Sequence, residues 1–252
     1  MSAPDVAQFD RLYGVVAGSP GWRDFASEHL GLPDGIWATG FLSGDGLDEI
    51  ARPLDLQPGD TLVDAGCGRG GYGLALIAGT GARLVGVDFS AVAIAGATDD
   101  AAAAGLSEHA SFVVGDLACT GLANGNASAV VCVDALQFAT STSAALTECR
   151  RILQPGGRVV ITTWQADPAD ARVPDRIRRL DLRRELVAAG FEDVDVQARP
   201  SWSATEVRLW SAAVGLPDVV DDPALAELRD EAQQLLPLAD SLRRVLAVAT
   251  RP

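Results

Sequence analysis

The stretch Leu62-Val-Asp-Ala-Gly-Cys-Gly-Arg-Gly-Gly-Tyr-Gly73 sets the frame for the whole chain. A short apolar run, Thr61 to Ala65, enters a loop with glycine at 66, 68, 70, 71 and 73. Glycine takes positive φ and lets a ligand press against main chain. The free N–H groups of a helix N-terminus follow directly. Gly66-x-Gly68-x-x-Gly71 fits a nucleotide-cofactor fingerprint, and Asp88, 20 residues beyond Gly68, has the spacing of an acid that holds ribose hydroxyls.

Working outward, apolar runs alternate with helical segments. Strands are expected at Thr61–Gly66, Arg83–Asp88, Ser111–Asp116, Ala129–Asp134 and Arg158–Trp164. Between them lie a helix from Tyr72, one opened by Ser90 and stopped at Gly105, and one over Ser143–Leu153 closed by Pro155-Gly156-Gly157. Such alternation gives a doubly wound, Rossmann-like α/β sheet with helices on both faces. Its ligands sit outside the carboxyl ends of the strands, where Asp64, Asp88, Asp116, Asp134 and Trp164 fall. Downstream, a helix is expected after Pro174, a strand at Val194–Trp202, two helices within 203–240 and a closing strand from Arg243. The end of the chain thus reads as an antiparallel pair, not a second set of βαβ units. Upstream, helices are expected around Val6–Tyr13 and Asp45–Leu54, joined by an aromatic loop that carries Trp22, Phe25, His29, Trp37 and Phe41.

Composition removes several functions. With 34 acidic and 20 basic residues among 252, the formal charge is −14, which disfavours nucleic acid. All basic residues are arginine, so Schiff-base and Walker-lysine chemistry is absent. Cys67, Cys119, Cys132 and Cys149 form no CxxC pair and no metal-ligand spacing with His29 or His109; no metal is expected, and reduced thiols suggest a cytoplasmic protein. No apolar run approaches the ~18 residues of a membrane span.

Asp64, one residue ahead of the loop, would repel a pyrophosphate and welcome a cation. Asp116 is placed to accept from an adenine amine. An adenosine cofactor with a positive centre fits best. The runs LVDAGCGRGGYG, LVGVDFS, FVVGDLA, AVVCVDALQF and RILQPGGRVVITTW, in this order, resemble the class I S-adenosylmethionine-dependent methyltransferases, with the closest likeness to the small-molecule type of bacterial secondary metabolism. The resemblance covers Thr61 to Trp164 closely and the rest loosely. It implies a mostly parallel seven-stranded sheet with an antiparallel last strand, N-terminal helices and a helical insertion before that strand. It implies one domain over 1–252: an N-terminal lid segment at 1–55, a cofactor core at 56–165, and a C-terminal part at 166–252 with inserted helices at 203–240. The cofactor implied is S-adenosyl-L-methionine. Asp64, Ala65, Gly66, Cys67 and Gly68 would lie along its methionine portion, Asp88 at the ribose, and Phe89, Asp116 and Leu117 around adenine. Asp134 would stand nearest the transferred methyl group, binding the methionine amine or orienting the acceptor.

The chain departs from related O-methyltransferases at Gln137 and Phe138, where they often carry histidine, and at Thr163, near which they place an aspartate. Glutamine takes no proton from an alcohol. His29 is the remaining candidate base, and Gln137 a candidate acceptor-site residue. Methyl transfer is an in-line displacement that positioning alone can support when the nucleophile is electron-rich. The expected function is methylation of a small molecule, a natural-product intermediate. The alternative is a protein of the same fold that uses the cofactor in a cyclisation or rearrangement. The sequence leaves open the acceptor, the atom methylated and the oligomeric state.

Overall fold

The computed structural model describes residues 5–33, 35–37, 39–217 and 221–252. In chain order it contains α1 (Val6–Ala17), α2 (Pro20–Leu30), α3 (Gly44–Leu54), β1 (Thr61–Ala65), α4 (Gly71–Ile77), β2 (Arg83–Asp88), α5 (Ala91–Ala103), β3 (Ala110–Val114) and β4 (Ala127–Val133). A 3₁₀ turn (Leu136–Phe138), α6 (Thr142–Ile152), β5 (Leu153–Ala166), α7 (Asp175–Arg178), α8 (Leu182–Ala188) and β6 (Glu192–Ala198) follow. The chain closes with α9 (Pro200–Val214), α10 (Pro223–Leu235), a second 3₁₀ turn (Leu236–Ser241) and β7 (Leu242–Thr250).

The strands form one seven-stranded sheet in the order β3-β2-β1-β4-β5-β7-β6. β1 to β5 run parallel to one another, and β7 runs antiparallel to both β5 and β6. The central strands are near-continuous apolar runs because both faces are covered. Leu62, Ala129, Val131 and Val160 join the core beneath α3 and α4. Their neighbours Val63, Val130, Val159 and Ile161 join the opposite core with Leu146, Cys149, Leu182 and Leu186 of α6 and α8. Burying each such side chain contributes about 1.5–3 kcal/mol. None of the described helices is long and apolar enough to cross a membrane.

Two local expectations are corrected. The upstream aromatic loop contains a helix, α2: the Ser19 side chain caps Trp22 N, Pro20 occupies the first turn, and Gly31 ends it at φ 60°. The helix after Pro174 is two short helices, because Asp181 restarts the chain as an N-cap, accepting from Arg184 N.

Candidate active site

The glycine loop leaves β1 with Gly66 at φ 77° and Gly68 at φ 51°. Side chains are excluded there for a second reason. A Cβ on Gly66 would lie 2.4 Å from Ala135 Cβ, and one on Gly68 would lie 3.0 Å from the Tyr13 hydroxyl. The expected loop geometry is therefore present, and so is its acid. Asp88 is buried at the end of β2; its Oδ2 accepts from Gly68 N at 2.9 Å and its Oδ1 from Ser90 N at 2.9 Å. These two amides aim the carboxylate across the loop and leave lone pairs for further donors.

Asp64 is buried beneath the loop, with a hydrogen bond from the Gly73 amide. Burial, then the charge of Asp88, push its carboxyl up from 3.8 to about 7. Burial also raises Asp88. Among the described ion pairs none reaches either carboxylate. Two buried carboxyls without a cation suit a positively charged ligand group better than a phosphate. Cys67 donates to Gly68 O at 3.4 Å, and burial raises its thiol, so it fills space and is no nucleophile.

Glu206 on α9 behaves like Asp64: burial pushes it up from 4.5 to about 7, against the pull of Arg244. A carboxyl raised in the folded state favours folding below its unfolded pKa, and that contribution is lost as pH rises through the folded value. Between pH ~4 and ~7 the ligand-free protein should therefore lose stability with rising pH. Thermal melts at pH 5 and pH 8 check this: Tm is expected several degrees higher at pH 5, and Asp64→Asn should flatten the slope.

The residues expected around adenine are Phe89, Asp116 and Leu117. Leu117 stands beside the loop, its Cδ2 3.6 Å from a Cβ on Gly66. Phe89 is half-buried under Phe9 of α1, which packs edge-on against both Phe89 (5.1 Å) and Phe138 (5.3 Å). Asp116 is exposed, and its Oδ1 is engaged by Ala118 N at 2.7 Å. Asp10 of α1 accepts from the Ser90 hydroxyl. Phe9, Asp10 and Tyr13 thus bring one face of α1 onto the loop. Sequence reading did not single them out; the signal was the i, i+4 pairing of Phe9 and Tyr13 in an amphipathic helix.

The residues expected to act on the acceptor are placed differently. Asp134 sits at φ 54° after β4 and is buried. Arg244 of β7 donates to both its oxygens at 2.7 and 2.9 Å, Thr162 Oγ1 to Oδ1 at 2.7 Å, and Phe41 N to Oδ2 at 3.2 Å. With four hydrogen bonds from three donors on it, Asp134 is committed to the protein and is no free ligand for an amine. Gln137 is likewise committed: Nε2 donates to Asp134 O at 2.6 Å and Oε1 accepts from Thr163 Oγ1 at 2.9 Å. Gln137 and Thr163 do meet, but neither side chain can titrate. His29 lies in the last turn of α2, stacked on Phe25 at 4.1 Å with Nδ1–H donating to Phe25 O at 2.9 Å. It is absent from the lining of the cavity at the loop. Of the aromatics expected near the edge, Phe41 packs edge-on against Trp164 and Trp210 as core, whereas Trp37 lines that cavity.

The cavity holds about 30 Å³, between Gly66–Arg69, Gly71, Tyr72 and Val133 on one side and Trp37, Thr39 and Gly40 on the other. That is room for about one water, against ~300 Å³ or more for a small-molecule site.

Comparison with known proteins agrees with this geometry. The model of a methyltransferase domain matches residues 63–161, the span from β1 through β5 that carries the glycine loop and Asp88. Residues 63–161 thus carry a methyltransferase domain. Sterol 24-C-methyltransferase of Aspergillus fumigatus is 31% identical over 138 residues, 54% of this chain and 36% of that protein. The chain thus spans about a third of the length of the sterol methyltransferases it matches. The 27-O-demethylrifamycin SV methyltransferase of Amycolatopsis mediterranei is 24% identical over 180 residues, covering 64% of this chain and 66% of that one. Among solved structures, the [4+2]-cyclase SpnF superposes with a TM-score of 0.76 at 22% identity, covering 100% of this chain and 98% of that one. At that identity the likeness is one of fold.

Proposed function

We propose that the protein transfers a methyl group from S-adenosylmethionine to an uncharged small molecule, a natural-product intermediate. The observation that carries this is the pair formed by the positive-φ glycine loop and the Asp88 carboxylate, locked to Gly68 N and Ser90 N. Asp88 would hold the ribose hydroxyls, Gly66 and Gly68 would bring main chain to the methionine portion, and Asp64 would offset the cofactor's positive charge. Phe89 and Leu117 would flank adenine, and Asp116 would use its second oxygen for the adenine amine. S-adenosylmethionine supplies an electrophilic methyl group on a sulfonium. The chain supplies position and the exclusion of water, because α1, Trp37 and the segment 39–43 close over the loop. The N-terminal segment acts as the lid and the protein as one methyltransferase unit.

An uncharged acceptor follows from the charges at this edge. Arg244, its deepest cation, is shared by Asp134 and Glu206, and Arg69 is paired with Asp100 at 2.9 Å. The Gln137–Thr163 pair accounts for the lack of a base. His29→Ala should accordingly leave kcat within about tenfold, since a general base contributes ~10²–10⁴-fold; a thousandfold loss with folding intact would restore His29 as the base.

A second reading has an observation in its favour. The likeness to a [4+2]-cyclase runs the length of the chain, and Gln137 pairs with Thr163, neither of which can act as a base. A non-methylating cyclisation would need no base. Incubation with methyl-labelled S-adenosylmethionine and candidate acceptors separates the two: methyl transfer releases S-adenosylhomocysteine with each turnover, and cyclisation releases none.

A further inference from the structure

We propose that Arg244 is a positioning residue for the cofactor, acting through Asp134 to hold residues 39–42 as the wall of the glycine-loop cavity. The inference rests on the reading that this cavity receives the methionine portion of S-adenosylmethionine. Arg244 comes from the last strand and lies in the core, 1% exposed. Nη2 bonds both oxygens of Asp134, Nη1 lies 3.2 Å from Glu206 Oε1, and the guanidinium carbon sits 4.5 Å over the Trp164 ring. Trp164 Nε1 donates to the other Glu206 oxygen at 2.9 Å. Every partner of the guanidinium is therefore itself fixed.

The consequence reaches the cavity in one step. Asp134 Oδ2, held by Arg244, accepts from Phe41 N. On the other side of the same segment the Tyr72 hydroxyl donates between Gly40 O (3.0 Å) and Leu42 O (2.9 Å). Main chain at 40–42 is clamped between a carboxylate and a phenol. Gly40 fits so closely that a Cβ on it would lie 3.3 Å from both Asp134 Oδ2 and the Tyr72 ring. Gly40 and Thr39 form the cavity wall, and Thr39 bonds the Tyr13 hydroxyl that lies on Gly68. An apolar pair could fill the space of the ion pair, but could not accept from the Phe41 amide. The clamp fixes where residues 39–42 stand relative to the loop, and with them the methionine end of the site. The adenosine end, around Asp88, Phe89 and Leu117, lies outside it.

Titration calorimetry with two probes tests this. S-adenosylhomocysteine fills the whole site; adenosine lacks the amino-acid portion. In Arg244→Met, affinity for S-adenosylhomocysteine is expected to fall at least about tenfold while adenosine affinity stays within about threefold. Arg244→Lys, which keeps the charge but loses the fork, should recover part of the loss. Tyr72→Phe opens the other jaw and should weaken S-adenosylhomocysteine several-fold with adenosine unchanged. It decides the matter if Arg244→Met does not fold. Equal losses for both probes, or an unchanged S-adenosylhomocysteine affinity in a folded variant, would overturn the proposal. Failure of the unmodified protein to bind S-adenosylhomocysteine would instead overturn the cofactor reading.

Discussion

Gly71→Ala is expected to lower Tm by roughly 5–10 °C and to weaken S-adenosylhomocysteine binding by two orders of magnitude or more. Gly71 opens α4 with ordinary helical backbone, so the substitution meets no conformational penalty. On helix propensity alone, alanine would stabilise by about 1 kcal/mol. The predicted sign is opposite because a Cβ there would lie 2.0 Å from the Trp37 carbonyl oxygen and 2.7 Å from its carbon. Both are main-chain atoms and cannot rotate away. The covering segment must lift, which also disturbs Trp37 between Arg23 (3.9 Å) and Arg69 (5.1 Å). Overpacking of this kind costs about 1–3 kcal/mol or more. A variant that melts higher than the unmodified protein would mean that the segment does not rest on α4.

Asp88→Ala is expected to reduce S-adenosylhomocysteine affinity about a hundredfold. Hydrogen bonds to a charged group contribute about 1.5–3 kcal/mol each, and 1.4 kcal/mol is tenfold in affinity. Two ribose hydroxyls at the lower figure give the hundredfold. The substitution also orphans the amides of Gly68 and Ser90, so the loop loses its anchor as well as its acceptor. Asp88→Asn keeps one acceptor oxygen and should fall between. Calorimetry on the three proteins reads the series, and equal affinities would remove the acid from the ribose.

The parts of this molecule that were legible in the sequence are those dictated by neighbours in the chain. Buried parallel strands announce themselves as apolar runs ended by glycine or aspartate, and β1, β2, β4 and β5 appear where those runs stand. The glycine loop and Asp88 are legible because their spacing reflects one strand–helix–strand unit. α2 was hidden by its composition: Pro20 and Gly21 look like loop residues, although Ser19-Pro20 and Gly31 are start and stop signals when read together. The role of Asp134 was not legible at all. The sequence shows an aspartate at a ligand edge; its partner Arg244 is 110 residues away and reaches it only because β7 folds back beside β5. Gln137 illustrates the same limit. Its replacement of histidine was visible, but not that Thr163 and the Asp134 carbonyl would consume both ends of the amide.

The glycine loop is expected to receive a cationic adenosine cofactor at a single site. Titration of the unmodified protein with S-adenosylmethionine, S-adenosylhomocysteine and NAD in parallel addresses it without knowledge of the acceptor. One equivalent of either adenosyl ligand should saturate the protein, both should lose affinity in Asp88→Ala, and NAD should give no heat above dilution. Binding of NAD in place of S-adenosylmethionine, or adenosyl binding indifferent to Asp88, would contradict it.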